Sequence, residues 1–198
     1  MQIEHTPWLP ENADGIQGQK VAVVGYSHYV GGQDSITLTI DVVQSVVNGE
    51  KFRFFQAIQG YFGFPDDPGF WNRVLFFNFL PNAVGTKSEK YKLGTPEQIQ
   101  HGKDRFLRII DAEKPDKVFV FARKGWCDFP ETTKEELSVG MCTPLIQGQK
   151  EPNWGTYMAG DQSVLVCGFR HPQGALGEKI REEVKAFLEL RPSRVPHP

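Results

Sequence analysis

Lys20-Val21-Ala22-Val23-Val24-Gly25-Tyr26-Ser27-His28-Tyr29 joins an unbroken apolar run to a glycine and a polar, aromatic tail. The run does not alternate between apolar and polar positions. That pattern fits a strand covered on both faces, as in a parallel sheet, better than a half-solvated antiparallel strand. Three further runs share it: Arg73–Phe79 (RVLFFNF), Lys117–Ala122 (KVFVFA) and Ser163–Gly168 (SVLVCG). The valines at 21, 23, 118, 120, 164 and 166 are assigned to the core.

Helical patterns separate these runs. Thr95-Pro96-Glu97-Gln98 reads as a helix start, with Thr capping, Pro in the first turn and Gln returning a hydrogen bond to the cap. That helix extends to about Lys114 with Ile99, Phe106 and Ile110 on one face, and Pro115 ends it. A last helix spans about Gly174–Leu190, with Leu176, Ile180, Val184, Phe187 and Leu188 on one stripe. Asp34–Asn48 and Arg53–Phe62 complete the helical segments. The order β-α-α-β-α-β-(long loop)-β-α predicts a single-domain, three-layer α/β/α fold over residues 1–198 with a four-stranded, mostly parallel sheet. Residues 1–18 and 191–198, rich in proline and polar side chains, are expected to be irregular arms.

Composition narrows the function classes. Lys and Arg number 22 against 24 Asp and Glu, so any nucleic-acid contact must come from a local basic patch. No apolar run approaches the roughly 20 residues of a membrane span. The N-terminal MQIEHTPWLP lacks the basic and apolar segments of a signal peptide. Cys127, Cys142 and Cys167 form neither a disulfide framework nor a zinc or iron–sulfur pattern, so a cytoplasmic protein is expected. GxGxxG, GxxxxGK[ST] and GxSxG are absent, as is any metal-ligand spacing, so no metal or cofactor is expected.

In an open parallel sheet, ligands bind beyond the carboxyl ends of the strands. Four polar and aromatic segments converge on that rim: Gly25–Tyr29, Asn78–Asn82, Arg123–Cys127 and Gly168–Gly174. Each also has a plainer reading. Gly25 can simply permit a tight turn, Ser27 and His28 can cap one, and His171 can be an ordinary loop residue. Asn78, within an apolar strand, must either bond the backbone or face a ligand, because buried polar groups are paired. His5, His101 and His197 receive no role.

Taken together and in order, these segments resemble the uracil-DNA glycosylase superfamily. Gly25-Tyr26-Ser27-His28-Tyr29 resembles the motif that positions the hydrolytic water, and Asn78 the Asn that reads uracil. Gly168-Phe169-Arg170-His171-Pro172 resembles the His-Pro motif before the last helix, and Arg53-Phe54-Phe55 a helix start of the mismatch-specific branch. Ser27 stands where the family has an acid or amide, and Gln173 where it has Ser. The resemblance implies hydrolysis of the N-glycosidic bond of uracil, or a related deaminated base, after base flipping. It implies Ser27, His28 and His171 as catalytic, and Gly25, Tyr26, Tyr29, Phe55 and Asn78 as substrate-binding. Tyr29 would crowd the uracil C5 edge, or else pack in the core. Arg123, Lys124, Arg170 and Gln173 would contact DNA, with a second basic loop at Lys87, Lys90 and Lys92. Leu176 would be a wedge into the duplex, unless its place on the apolar stripe makes it core. Uracil-containing DNA is then the partner and free uracil the product, with a monomer and no membrane. The rival reading is a non-catalytic base, nucleotide or DNA binder on the same fold; a hydrolase of free nucleosides is a third.

Overall fold

The computed structural model describes residues 3–12, 14–29, 33–85, 89, 92–122, 128–130, 143–147, 152–172 and 177–191. All four expected strands form: β1 (Val21–Gly25), β2 (Val74–Asn78), β3 (Lys117–Val120) and, near the C-terminus, β6 (Gln162–Gly168). They are mutually parallel in the order β2-β1-β3-β6. Continuous apolar runs lie in the centre of this mixed α/β fold because helices cover both faces of the sheet. Helices α1 (Leu38–Val47) and α2 (Arg53–Tyr61) link β1 to β2, and α3 (Pro96–Glu113) links β2 to β3. Helix α4 (Gly177–Glu189) follows β6. A 3₁₀ turn, Pro68–Arg73, leads into β2.

The sheet departs from the expected four strands. β4 (Thr143–Pro144) and β5 (Asn153–Ala159) extend it to six, β5 antiparallel to β6 and β4 antiparallel to β5, where the sequence suggests a long loop. β5 carries Gly155 and Met158 among its residues and is only half buried, so it lacks the dense apolar run of the others. It joins β6 through Gly160-Asp161, with Gly160 at φ +57°, a backbone conformation that suits glycine at the first position of a two-residue hairpin.

The N-terminal arm is likewise ordered. Trp8 exchanges backbone hydrogen bonds with Phe76 at 2.9 and 3.0 Å, in antiparallel sense, and covers the outer edge of β2. Its indole N–H donates to the Trp71 carbonyl at 2.8 Å. Pairing between residues so far apart along the chain leaves no local trace in an arm that carries Pro7 and Pro10.

Side-chain parity divides the core. Val21, Val23, Phe76 and Phe119 point to the face packed by α1, α2 and α4, where Phe55, Ile58, Val184 and Phe187 meet them. Ala22, Val24, Phe77, Val118, Val120, Val164 and Val166 point to the α3 face, against Phe106 and Ile110. The expected cap of α3 forms in full: Thr95 accepts from the Gln98 N–H and Gln98 accepts from the Thr95 N–H. Lys114 closes the helix in the left-handed conformation at φ 46°. Among the described residues, no helix is long and apolar enough to cross a membrane.

Candidate active site at the carboxyl rim

Gly25 ends β1 and Asn78 ends β2, and the two are direct partners in the parallel register. By parity both face the α2 and α4 side of the sheet. A Cβ at position 25 would lie 2.2 Å from Asn78 Oδ1, so only glycine lets the Asn78 amide lie across the strand. The same Cβ would touch the tip of Phe54 at 3.6 Å. Phe54, half buried near the start of α2, lies 5.4 Å from the His171 ring, centroid to centroid. The structure therefore brings Gly25, Asn78, Phe54 and His171 together at one end of the sheet.

Asn78 is 4 % exposed; its backbone carbonyl accepts from Arg105, and its side-chain amide lies over Gly25. An amide at this end of the sheet can offer a donor and an acceptor to a group that enters the site. His171 is accessible to solvent, and partial burial holds its pKa below the usual imidazole range, which leaves a neutral ring at pH 7. A neutral imidazole still carries one N–H donor.

Other residues of the expected site take different places. Phe55 is buried against Trp71 and Phe76, with ring centroids 4.7 and 5.2 Å away. It belongs to the core, and its neighbour Phe54 is the aromatic at the rim; on a helix, adjacent residues point about 100° apart. Tyr26 points to the α3 face, where its hydroxyl donates to Asp128 at 3.0 Å and accepts from the Gly94 N–H. Burial and the Asp128 charge push its pKa up to about 12. Ser27 ties the loop after β1 to the loop after β2: its Oγ donates toward the carbonyls of His28 and Asn82 and accepts from the Val84 N–H. Tyr29 is 36 % exposed rather than packed in the core, and Arg170 is exposed on the His171 loop. Arg123, Lys124, Gln173, Leu176, Lys87 and Lys90 lie outside the described residues, whereas Lys92 pairs with Glu89 at 3.5 Å.

His28 sits in a polar cluster that the sequence does not announce. Its Nε2 lies 3.0 Å from Thr39 Oγ1 on α1, and its ring meets His5 edge-on with centroids 5.4 Å apart. His5, 1 % exposed, pairs through Nε2 with Asp34 at 2.7 Å. Asp34 also accepts from the N–H groups of Ser35 and Ala83. His5 comes from the arm and Asp34 from the segment before α1, so only the folded chain joins them.

Burial, reinforced by the neighbouring His5, pulls the His28 pKa from 6.5 down to about 4. The unfolded chain takes up this proton near pH 6.5 and the folded protein only near pH 4. Between those values the unfolded state binds more protons, so the contribution of His28 to stability is full above pH 6.5 and is lost as the pH falls toward 4. His28→Gln should therefore flatten the fall of the melting temperature over that interval. An unaltered pH dependence in a folded variant would show that another group is responsible.

No family model matches the chain, and no curated protein matches it. The functional reading therefore rests on the geometry of this rim.

Proposed function

We propose that the protein is a uracil-DNA glycosylase-type enzyme that hydrolyses the N-glycosidic bond of uracil, or a related deaminated base, in DNA. The observation that carries this reading is the amide of Asn78 lying over Gly25 at the end of β2, beside Phe54 and His171. It agrees with the resemblance of three rim segments to that superfamily.

Each group has a chemical task. Uracil offers an acceptor at O4 beside a donor at N3, and one amide supplies the complementary donor and acceptor. Phe54 offers an apolar face on which a flipped base can stack, an interaction worth about 1–3 kcal/mol per base. The C1′–N1 bond breaks with its electron pair passing to the uracil ring, leaving an oxocarbenium-like sugar, as in glycoside hydrolysis. His171 donates a hydrogen bond to the charge that grows on uracil O2. Water adds to C1′, and the proton it loses passes through solvent to the departing uracil anion. His28, neutral at pH 7, is a base able to orient that water, whereas the Ser27 hydroxyl is occupied by the two loops it joins. Arg170 is suited to a phosphate contact, the main source of DNA affinity.

The test is incubation with uracil-containing single- and double-stranded oligonucleotides followed by alkali. Strand scission at the uracil position supports the proposal. Binding without scission would favour the second reading, a non-catalytic base binder, for which the lack of any carboxylate at positions 25–29 speaks.

Gly25→Ala probes the cradle. Gly25 lies outside the left-handed backbone region, so alanine is tolerated by the chain, but its Cβ must displace the Asn78 amide. A misplacement of about 1 Å in such a site can cost roughly 10²-fold in rate. We expect a loss of that order in single-turnover excision from a variant that still folds. A wild-type rate in Gly25→Ala would mean that Asn78 need not lie over this position.

A further inference from the structure

We propose that Arg105, on the opposite face of the sheet from the base site, is a positioning residue that aims the Asn78 amide; the inference rests on the base-reading role given to Asn78. Arg105 is 0 % exposed. One guanidinium nitrogen donates to the Asn78 carbonyl at 2.6 Å and the other to the His5 carbonyl at 2.5 Å. The group lies over the Phe77 ring at 5.5 Å, and its Nε is 3.6 Å from Glu4 Oε1. Burial lowers its pKa to about 10, so it remains a cation at neutral pH.

A buried cation is expensive unless it is paired. Here its counter-ion is Glu4, which His101 and Arg108 also hold, at 2.6 and 3.0 Å. Burial works against the Glu4 carboxylate, but these partners outweigh it and keep its pKa below the ordinary range. The two close hydrogen bonds of Arg105 are nevertheless spent on main-chain carbonyls. One belongs to the residue whose side-chain amide lies over Gly25.

The consequence follows from the topology. Asn78 is the last residue of β2, and the chain bends after it. Its amide is placed by packing over Gly25 and by the direction of its own backbone. Arg105 fixes that backbone from below, and ties it to the N-terminal arm through His5. A rigid planar fork can hold two carbonyls at once, whereas a lysine, as a point charge, cannot reproduce that geometry.

The test is Arg105→Lys, with Arg105→Met as a second variant, in the full chain. The primary readout is the NMR order parameter of the Asn78 side-chain amide, assigned by its disappearance in Asn78→Asp. A rigid value near about 0.85 in the wild type should fall below about 0.6 in Arg105→Lys. Backbone values in β1 and β3 should stay unchanged. Single-turnover excision should drop about tenfold or more, with KM held by the phosphate contacts. An Asn78 amide that stays rigid in a folded variant overturns the proposal, whatever happens to the rate. A wild type that excises no uracil overturns the glycosylase reading instead, and the order parameter still decides the role of Arg105.

Discussion

Asn78→Ala is expected to reduce uracil excision by about 10⁴-fold, the scale on which a site built to hydrogen-bond a substrate group discriminates. The residue is buried at the end of β2 and is matched in register with Gly25. Stability should change little, and overall DNA affinity, carried by phosphate contacts, should be nearly kept. Asn78→Asp is the more informative partner. An ionised carboxylate accepts but cannot donate, so it opposes O4 of uracil and loses the preference for uracil. Single-turnover rates on matched uracil and cytosine oligonucleotides measure both effects. A folded Asn78→Ala protein with the wild-type rate would make the residue structural.

His171→Ala should lower kcat by about 10²–10³, the usual cost of removing one preorganised donor to developing negative charge. KM should change far less, because that charge exists only in the transition state. The ring is accessible and held against Phe54 rather than buried in the core, so the loss should come without a matching loss of stability. Its neutral state at pH 7, set by partial burial, lets it donate without placing a permanent cation beside the base. A variant whose KM rises while kcat stays constant would assign His171 to ground-state binding instead.

How far the sequence could be read depended on whether the signal was local. Apolar runs identify the four parallel strands because burial on both faces leaves no alternation. The capping box of α3 is legible because it lies within four consecutive residues. β5 escaped because a half-buried outer strand with Gly155 and Met158 has neither a dense run nor clean alternation. The same limit applies at the site. Gly25, Asn78 and His171 stand at strand ends, where chemistry is expected, and they do come together. Which of two adjacent phenylalanines faces the rim is a matter of helix phase, fixed by Trp71 and Phe76 taking Phe55 into the core. Arg105, His5 and Asp34 gave no sign at all. Each looks like an ordinary polar residue until contacts with residues 27 and more positions distant engage it.

The most direct measurement is the release of free uracil from an oligonucleotide carrying one uracil, followed chromatographically for the wild type and for Asn78→Ala. The account predicts one uracil released per strand by the wild type, an alkali-labile site left behind, and a rate lower by about 10⁴ in the variant. Uracil that stays in a strand the wild-type protein binds, or release that is equally fast in both proteins, would contradict it.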